Sequence, residues 1–131
     1  MPQTIKNPVS DVFERWKTAM EKKIGVGNCS MDSSSLIAKA PYARLLLMSN
    51  TGYRWDLSGN ENATTLSFQV ESFANGQKAL TKVYDIDDTS HKAMTDMGFR
   101  RIYGPEVIEN ADNSIKRVVS RYSRVYTGYL F

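Results

Sequence analysis

The sequence predicts an α+β fold: a single layer of mostly antiparallel sheet, about four to five strands, with two amphipathic helices packed on one face. Three observations lead there. Apolar residues recur at helical spacing in two separate stretches, and a run between them alternates with a period of two. The last two strand-like runs are joined by a short polar turn, with no helical crossover. Hairpin-joined strands with helices kept to one face make an α+β layer, whereas a doubly wound sheet needs strands and helices in alternation.

The first helix is read over residues 8–24. Val9, Phe13, Trp16, Met20 and Ile24 recur at spacings of three and four and fall on one stripe. Ser10 or Asp11 is placed to cap its start, with Glu14 in the first turn where the helix dipole favours an anion. Gly25-Val26-Gly27-Asn28 stops it.

Between Cys29 and Pro41 the pattern is weak: Ser33-Ser34-Ser35 reads as loop, and Leu36-Ile37 as a short strand start. Ala43 to Ser49 is bounded by Pro41 and by Asn50-Thr51-Gly52, and its length fits a strand buried on both faces. Tyr53 to Leu57 forms a short second arm, and Ser58 to Asn62 has the chemistry of a turn.

Thr64 to Phe73 is the clearest strand. Leu66, Phe68 and Val70 point to a buried face, and Thr65, Ser67, Gln69 and Glu71 to a wet or partner-facing one. Asn75-Gly76 closes it. A second helix follows over 77–97, with Leu80, Val83, Ile86, Met94 and Met97 on one stripe and the small residues Ser90 and Ala93 beside them. Gly98 then ends the helix and Phe99 folds back on its last turn. Arg100 to Val107 and Ile115 to Tyr126 are the last two strands, separated by the hairpin-type connection 109–113.

The chain of 131 residues suits one domain, 1–131. Its longest apolar run, Leu45-Leu46-Leu47-Met48, is far short of the roughly 20 residues that span a bilayer. The polar amphipathic start is not a secretory signal, and a lone Cys29 fits a reducing compartment. Seventeen Lys and Arg against fourteen Asp and Glu give a net charge of +3, too mild for a dedicated nucleic-acid binder. The basic excess lies from Arg100 onward, whereas 77–97 leans acidic; such unevenness is common by chance, and opposite leanings on different elements also suit self-association through complementary patches.

No catalytic, cofactor or metal site is expected. Gly25-Val26-Gly27-Asn28-Cys29-Ser30 follows a helix and lacks the final glycine of a dinucleotide fingerprint. Asp85-Ile86-Asp87-Asp88 reads as a solvated acidic face. His91 is the only histidine, so with Cys29 it leaves a zinc site two ligands short, and nothing local supports a Cys29–His91 nucleophile pair.

What the residues offer is surface. Tyr53, Arg54 and Trp55 sit in a polar arm, and Tyr122, Tyr126 and Tyr129 accompany Arg117, Arg121 and Arg124. Aromatic residues and arginine are the enriched anchors of protein interfaces. Two other readings stay open: tyrosines packed on the domain's own sheet beside solvated arginines, and single-strand nucleic-acid binding by stacking and phosphate contact.

From Ala63 to Gly128 the chain resembles the tail-terminator (tail-completion) proteins of long-tailed bacteriophages and related minor tail proteins of prophages. The alternating strand Thr64 to Phe73, Ala74-Asn75-Gly76 and the helix with Ile86-Asp87-Asp88 carry the resemblance. So do its exit Met97-Gly98-Phe99-Arg100, the turn Asn110 to Ile115, and Arg117-Val118-Val119-Ser120-Arg121-Tyr122. Pro41-Tyr42 fits the entry to the first long strand, while Ala38-Lys39-Ala40 stands where many relatives carry a bulky aromatic.

The resemblance implies a structural job with no reaction and no cofactor. Such proteins form a ring, commonly a hexamer, on the last ring of the tail tube, which ends polymerisation and presents a head-docking surface. The partners implied are further copies of the chain, the tail tube protein and head–tail connector proteins. Genomic DNA passes only through the lumen, and no membrane is involved. The implied location is the host cytoplasm during assembly, then the tail–head joint of the virion. On surface chemistry, Arg117, Arg121 and Arg124 are assigned to side or lumen contacts, and Tyr53, Arg54 and Trp55 to the tube or a neighbouring subunit. The runner-up is a neck protein contacting DNA at the portal exit, followed by a small nucleic-acid-binding domain.

Overall fold

The computed structural model describes residues 6–31, 41–55, 61–109 and 114–128. Its elements are α1 (Val9–Ile24), β1 (Cys29–Ser30), β2 (Tyr42–Trp55), β3 (Glu61–Asn75), α2 (Ala79–Asp96), β4 (Arg100–Ile108) and β5 (Ile115–Tyr126). The strands form one sheet in the order β1-β2-β3-β5-β4, antiparallel except for the β1–β2 pair. This is the α+β layer that the patterning predicts. The loop expected at Ser33–Ser35, the strand start at Leu36-Ile37, residues 56–60, the turn 110–113 and Tyr129 lie outside the described residues.

Both helices bury their apolar stripes on one sheet face. Val12, Trp16, Met20 and Ile24 of α1 join Val83, Ile86, Ala93 and Met94 of α2. Against them stand Ala43 and Leu45, then Leu66, Phe68 and Val70, then Val118, Tyr122 and Tyr126. Deleting a fully buried aromatic from such a core costs about 3–5 kcal/mol. Trp16 is also tied by its indole N–H, which donates to Ser90 Oγ at 2.8 Å. The small Ser90 and Ala93 therefore let the two helices approach closely.

Local details differ from the sequence reading in six places. The start of α1 is served by Asn7, whose Oδ1 accepts from the Val9 amide at 3.1 Å. Ser10 and Asp11 lie inside the helix, and Asp11, not Glu14, is the acid of the first turn. Pro8 at the boundary has no amide to leave unsatisfied, so the helix begins there. In α2 the buried stripe runs through Ala79, Val83, Ile86 and Met94, and Leu80 is 46% exposed, because one step on from Ala79 turns it about 100° round the helix, off that stripe.

The expected break at Asn50-Thr51-Gly52 does not occur: β2 runs on to Trp55, absorbing register shifts after Leu47 and Gly52. Only its first part is buried on both faces, and Leu47 and Met48 are exposed. Glu61 and Asn62, expected in a turn, are the first residues of β3. At the exit of α2, Gly98 (φ 82°) and the Phe99 amide bond back to Thr95 and Met94, as the Met97-Gly98-Phe99 pattern predicts.

One glycine is a packing requirement. Gly104 has φ 86°, and a Cβ there would sit 2.3 Å from the Val119 carbonyl oxygen on β5. Gly104→Ala is expected to cost about 2 kcal/mol or more, through left-handed strain plus displacement of β4 from β5. A thermal melt checks this, and wild-type stability would contradict it.

Candidate assembly interface

The helices use one face of the sheet. Among the described residues no helix lies on the other, and alternation places Arg44, Gln69, Glu71, Phe73, Arg117, Val119 and Arg121 on it. Two layers of chemistry stand there. Tyr42, Phe73 and Ile115 form a small apolar cluster, with the Tyr42 and Phe73 ring centroids 5.9 Å apart.

Beside it runs a polar ladder across four strands. Glu71 on β3 pairs with Arg44 on β2 at 3.0 Å and with Arg117 on β5 at 2.6 Å. The Gln69 amide donates to Glu71 at 3.2 Å, while its carbonyl oxygen accepts from Arg121 Nε at 2.9 Å. The Arg121 guanidinium in turn lies 4.9 Å from the Tyr103 ring centroid on β4.

Glu71, expected to face water or a partner, is only 1% exposed. Burial alone would push its carboxyl up. The hydrogen bond from Arg44 and the charges of Arg117 and Arg44 outweigh that and hold it below its ordinary range. Two arginines share one carboxylate and a third faces neutral Gln69, so the ladder carries excess positive charge. A signal for the buried ladder was present in the sequence: Arg44 sits inside the apolar run Tyr42-Ala43-Arg44-Leu45, and a charge at a buried strand position needs a partner.

Of the three arginines assigned to side or lumen contacts, the structure brings Arg117 and Arg121 together on this open face and gives Arg124 to the opposite one. Arg124 donates to the Met97 carbonyl at the exit of α2 and lies between the Phe99 and Tyr126 rings. A cation at a helix C-terminus is favourably placed, and burial lowers its pKa. Tyr122 and Tyr126 are buried on the helix side, so for these two the own-sheet reading holds.

Tyr53, Arg54 and Trp55 form the end of β2. Arg54 pairs with Ala63 and Trp55 with Glu61, whereas β5 pairs with β3 only from Thr64 onward. The β2–β3 hairpin therefore runs on past the end of β5. In addition, β1 pairs only with Ala43 and Arg44, so from Leu45 onward the outer edge of β2 has no partner strand among the described residues.

A second polar network lies between α2 and the sheet, and it corrects the reading of the acidic helix face. Asp85 and Asp88 are exposed, but Asp87 is 1% exposed. It accepts from Ser120 Oγ at 2.7 Å and from Arg101 at 3.0 Å. Arg101 also donates to the Tyr122 hydroxyl, which lies 3.2 Å from His91 Nδ1. Burial pushes the Asp87 carboxyl up against the opposing pull of Ser120 and Arg101. This network ties edge strand β4 to α2. Cys29 is elsewhere, on β1, and burial with the nearby Glu21 pushes its thiol up to about 12, which suits an inert side chain.

Among the described residues no group of three or more His, Cys, Asp and Glu could hold a metal ion, and no helix is long and apolar enough to cross a membrane. No protein-family model matches the chain, and no curated protein matches it.

Proposed function

We propose that this chain is a ring-forming structural subunit of long-tailed phages that closes the tail tube and presents the surface to which the head docks. The observation that carries the reading is the asymmetry of the sheet. One face is filled by α1 and α2, while the other bears the arginine ladder and, among the described residues, no helix, and the β2–β3 hairpin continues beyond the end of β5. A subunit that must meet a neighbour on each side and a tube at one end needs several unlike surfaces on one rigid body. A heterologous contact that closes makes a finite ring, whereas an open one makes a filament.

In this reading Arg117 and Arg121 meet a neighbour or line the lumen, and the hairpin end with Tyr53, Arg54 and Trp55 reaches the tube or the next subunit. Arg124 serves the subunit's own α2 exit. The ring assembles in the host cytoplasm, meets head–tail connector proteins, and needs no cofactor, membrane or catalytic step. The test is growth arrest. Adding the protein to polymerising tail tube protein at a small fraction of its concentration stops elongation, and unchanged tube lengths contradict the reading. Reversing Arg121 to Glu should weaken the arrest.

The arginine face also favours a second reading, a neck protein that contacts DNA. That role requires measurable DNA affinity, falling roughly 40-fold between 50 and 200 mM salt for three phosphate contacts. The terminator reading expects little affinity at either salt concentration.

A further inference from the structure

Two exposed features of the fold fit each other. The first is a stripe on α2. Leu80, Tyr84 and Asp88 follow at intervals of four residues, so they lie one above the other on the helix surface. Leu80 is 46% and Tyr84 38% exposed, although both are large and apolar enough for a core. Asp88 makes no ion pair among the described residues, unlike Asp85, which holds Lys23, and Asp96, which holds Lys92.

The second feature is an open depression of about 390 Å³ at the other end of α2, where the chain enters β4. It is lined by Gly98, Arg100, Ile102, Ser123, Arg124 and Val125. Ile102 and Val125 are 58% and 44% exposed, and Arg100 makes no ion pair among the described residues. The depression thus sets two exposed apolar side chains beside Arg100.

We infer that the α2 stripe of one copy of this chain docks into the depression of the next, with Tyr84 on Ile102 and Val125 and Asp88 on Arg100. Spacing supports the match. Tyr84 and Asp88 are about 6 Å apart along a helix axis, and Arg100 and Ile102 are about 6–7 Å apart along a strand. Charge supports it too: Asp85 and Asp96 are held by Lys23 and Lys92 and Asp87 is buried against Arg101, so Asp88 is the aspartate of α2 with no ion pair among the described residues, and Arg100 stands likewise at the depression.

Because stripe and depression are different surfaces of one subunit, the contact is head-to-tail, and each bound copy leaves one of each free. An occupant with only an acidic helix would fill the depression without using the stripe. A second copy uses both. The inference deepens the ring reading and rests on it for the closure of the ring, while the pairing of copies is measured without any tube.

The experiment is sedimentation velocity and light scattering over a concentration series for the wild type, Asp88→Arg, Arg100→Glu and the double swap. The wild type is expected to reach a discrete mass that is a multiple of the 14.8 kDa chain. Each single reversal weakens association by about tenfold or more, as for a close interfacial charge pair, and the double swap recovers it. Tyr84→Ala and Ile102→Ala form a second pair that changes no charge, and each weakens association if the apolar contact is real. A melting profile confirms that each variant is folded.

A wild type that stays monomeric at every concentration overturns the inference, as do single reversals that assemble normally or a double swap that does not recover. If a monomer nevertheless arrests tube growth, the terminator reading survives without this contact. An assembling ring that leaves tubes untouched overturns that reading and keeps the contact.

Discussion

Glu71→Ala lowers the stability of the fold by about 3–5 kcal/mol, the range for removing one partner of a buried ion pair, and the melting temperature by roughly 10–15 °C. The loss is large because Glu71 is shared. Its removal takes the carboxylate from the Arg44 guanidinium, whose side chain is 11% exposed, and an acceptor from Arg117 and from the Gln69 amide as well. Glu71→Gln keeps the shape and loses the charge, so it falls between the two.

The pH dependence has a definite sign. The folded Glu71 lies below its ordinary 4.5, so its contribution is complete above that value and is lost as pH falls through the folded one. The deficit of Glu71→Gln relative to the wild type is therefore greatest at neutral pH and vanishes in acid. Urea melts across the acid range read it directly, and a deficit that grows on acidification contradicts the assignment.

Arg101→Ala is the second large effect, about 3 kcal/mol or more, because it leaves the Asp87 carboxylate buried with Ser120 as its remaining hydrogen-bond donor. The damage is local. Arg101 lies on edge strand β4, and without its tie to α2 the amides of Arg101 and Val107 lose hydrogen-exchange protection before those of β3. Asp87 titrates with the opposite sign to Glu71. Its folded value is raised above 3.8, so its contribution is complete below that value and is lost as pH rises through the folded one. Asp87→Asn accordingly gains on the wild type as pH rises, while Glu71→Gln loses.

The sequence showed elements whose signal is periodic. The 3.6-residue stripe gave α1 with its stop at Gly25, the period of two gave the inner face of β3, and Ile115 to Tyr126 matches β5 end for end. It missed β1, because two residues carry no period and their parallel pairing with Ala43 and Arg44 is a tertiary fact. The continuation of β2 through Asn50-Thr51-Gly52 was hidden because turn-forming residues also fit a bulged edge strand.

The candidate interface residues are legible in type but not in arrangement. Arg117 and Arg121 were chosen for their chemistry, and they share the open face. The pattern puts Glu71 on a wet or partner-facing side and Asp87 in a solvated acidic face, because each occupies a slot where a charge usually meets water. Their partners lie 27 and 46 residues away for Glu71, and 14 and 33 for Asp87. No local pattern connects such pairs, and the same distance in sequence hid the engagement of Arg124 with Met97.

The central claim is that the chain caps a tube end as a ring. It is tested most directly by counting chains bound per tail tube as a function of tube length. A terminator gives a small fixed number per tube, the same for short and long tubes and visible as density at one end. Binding that rises in proportion to length, or no binding to tubes at all, contradicts the account.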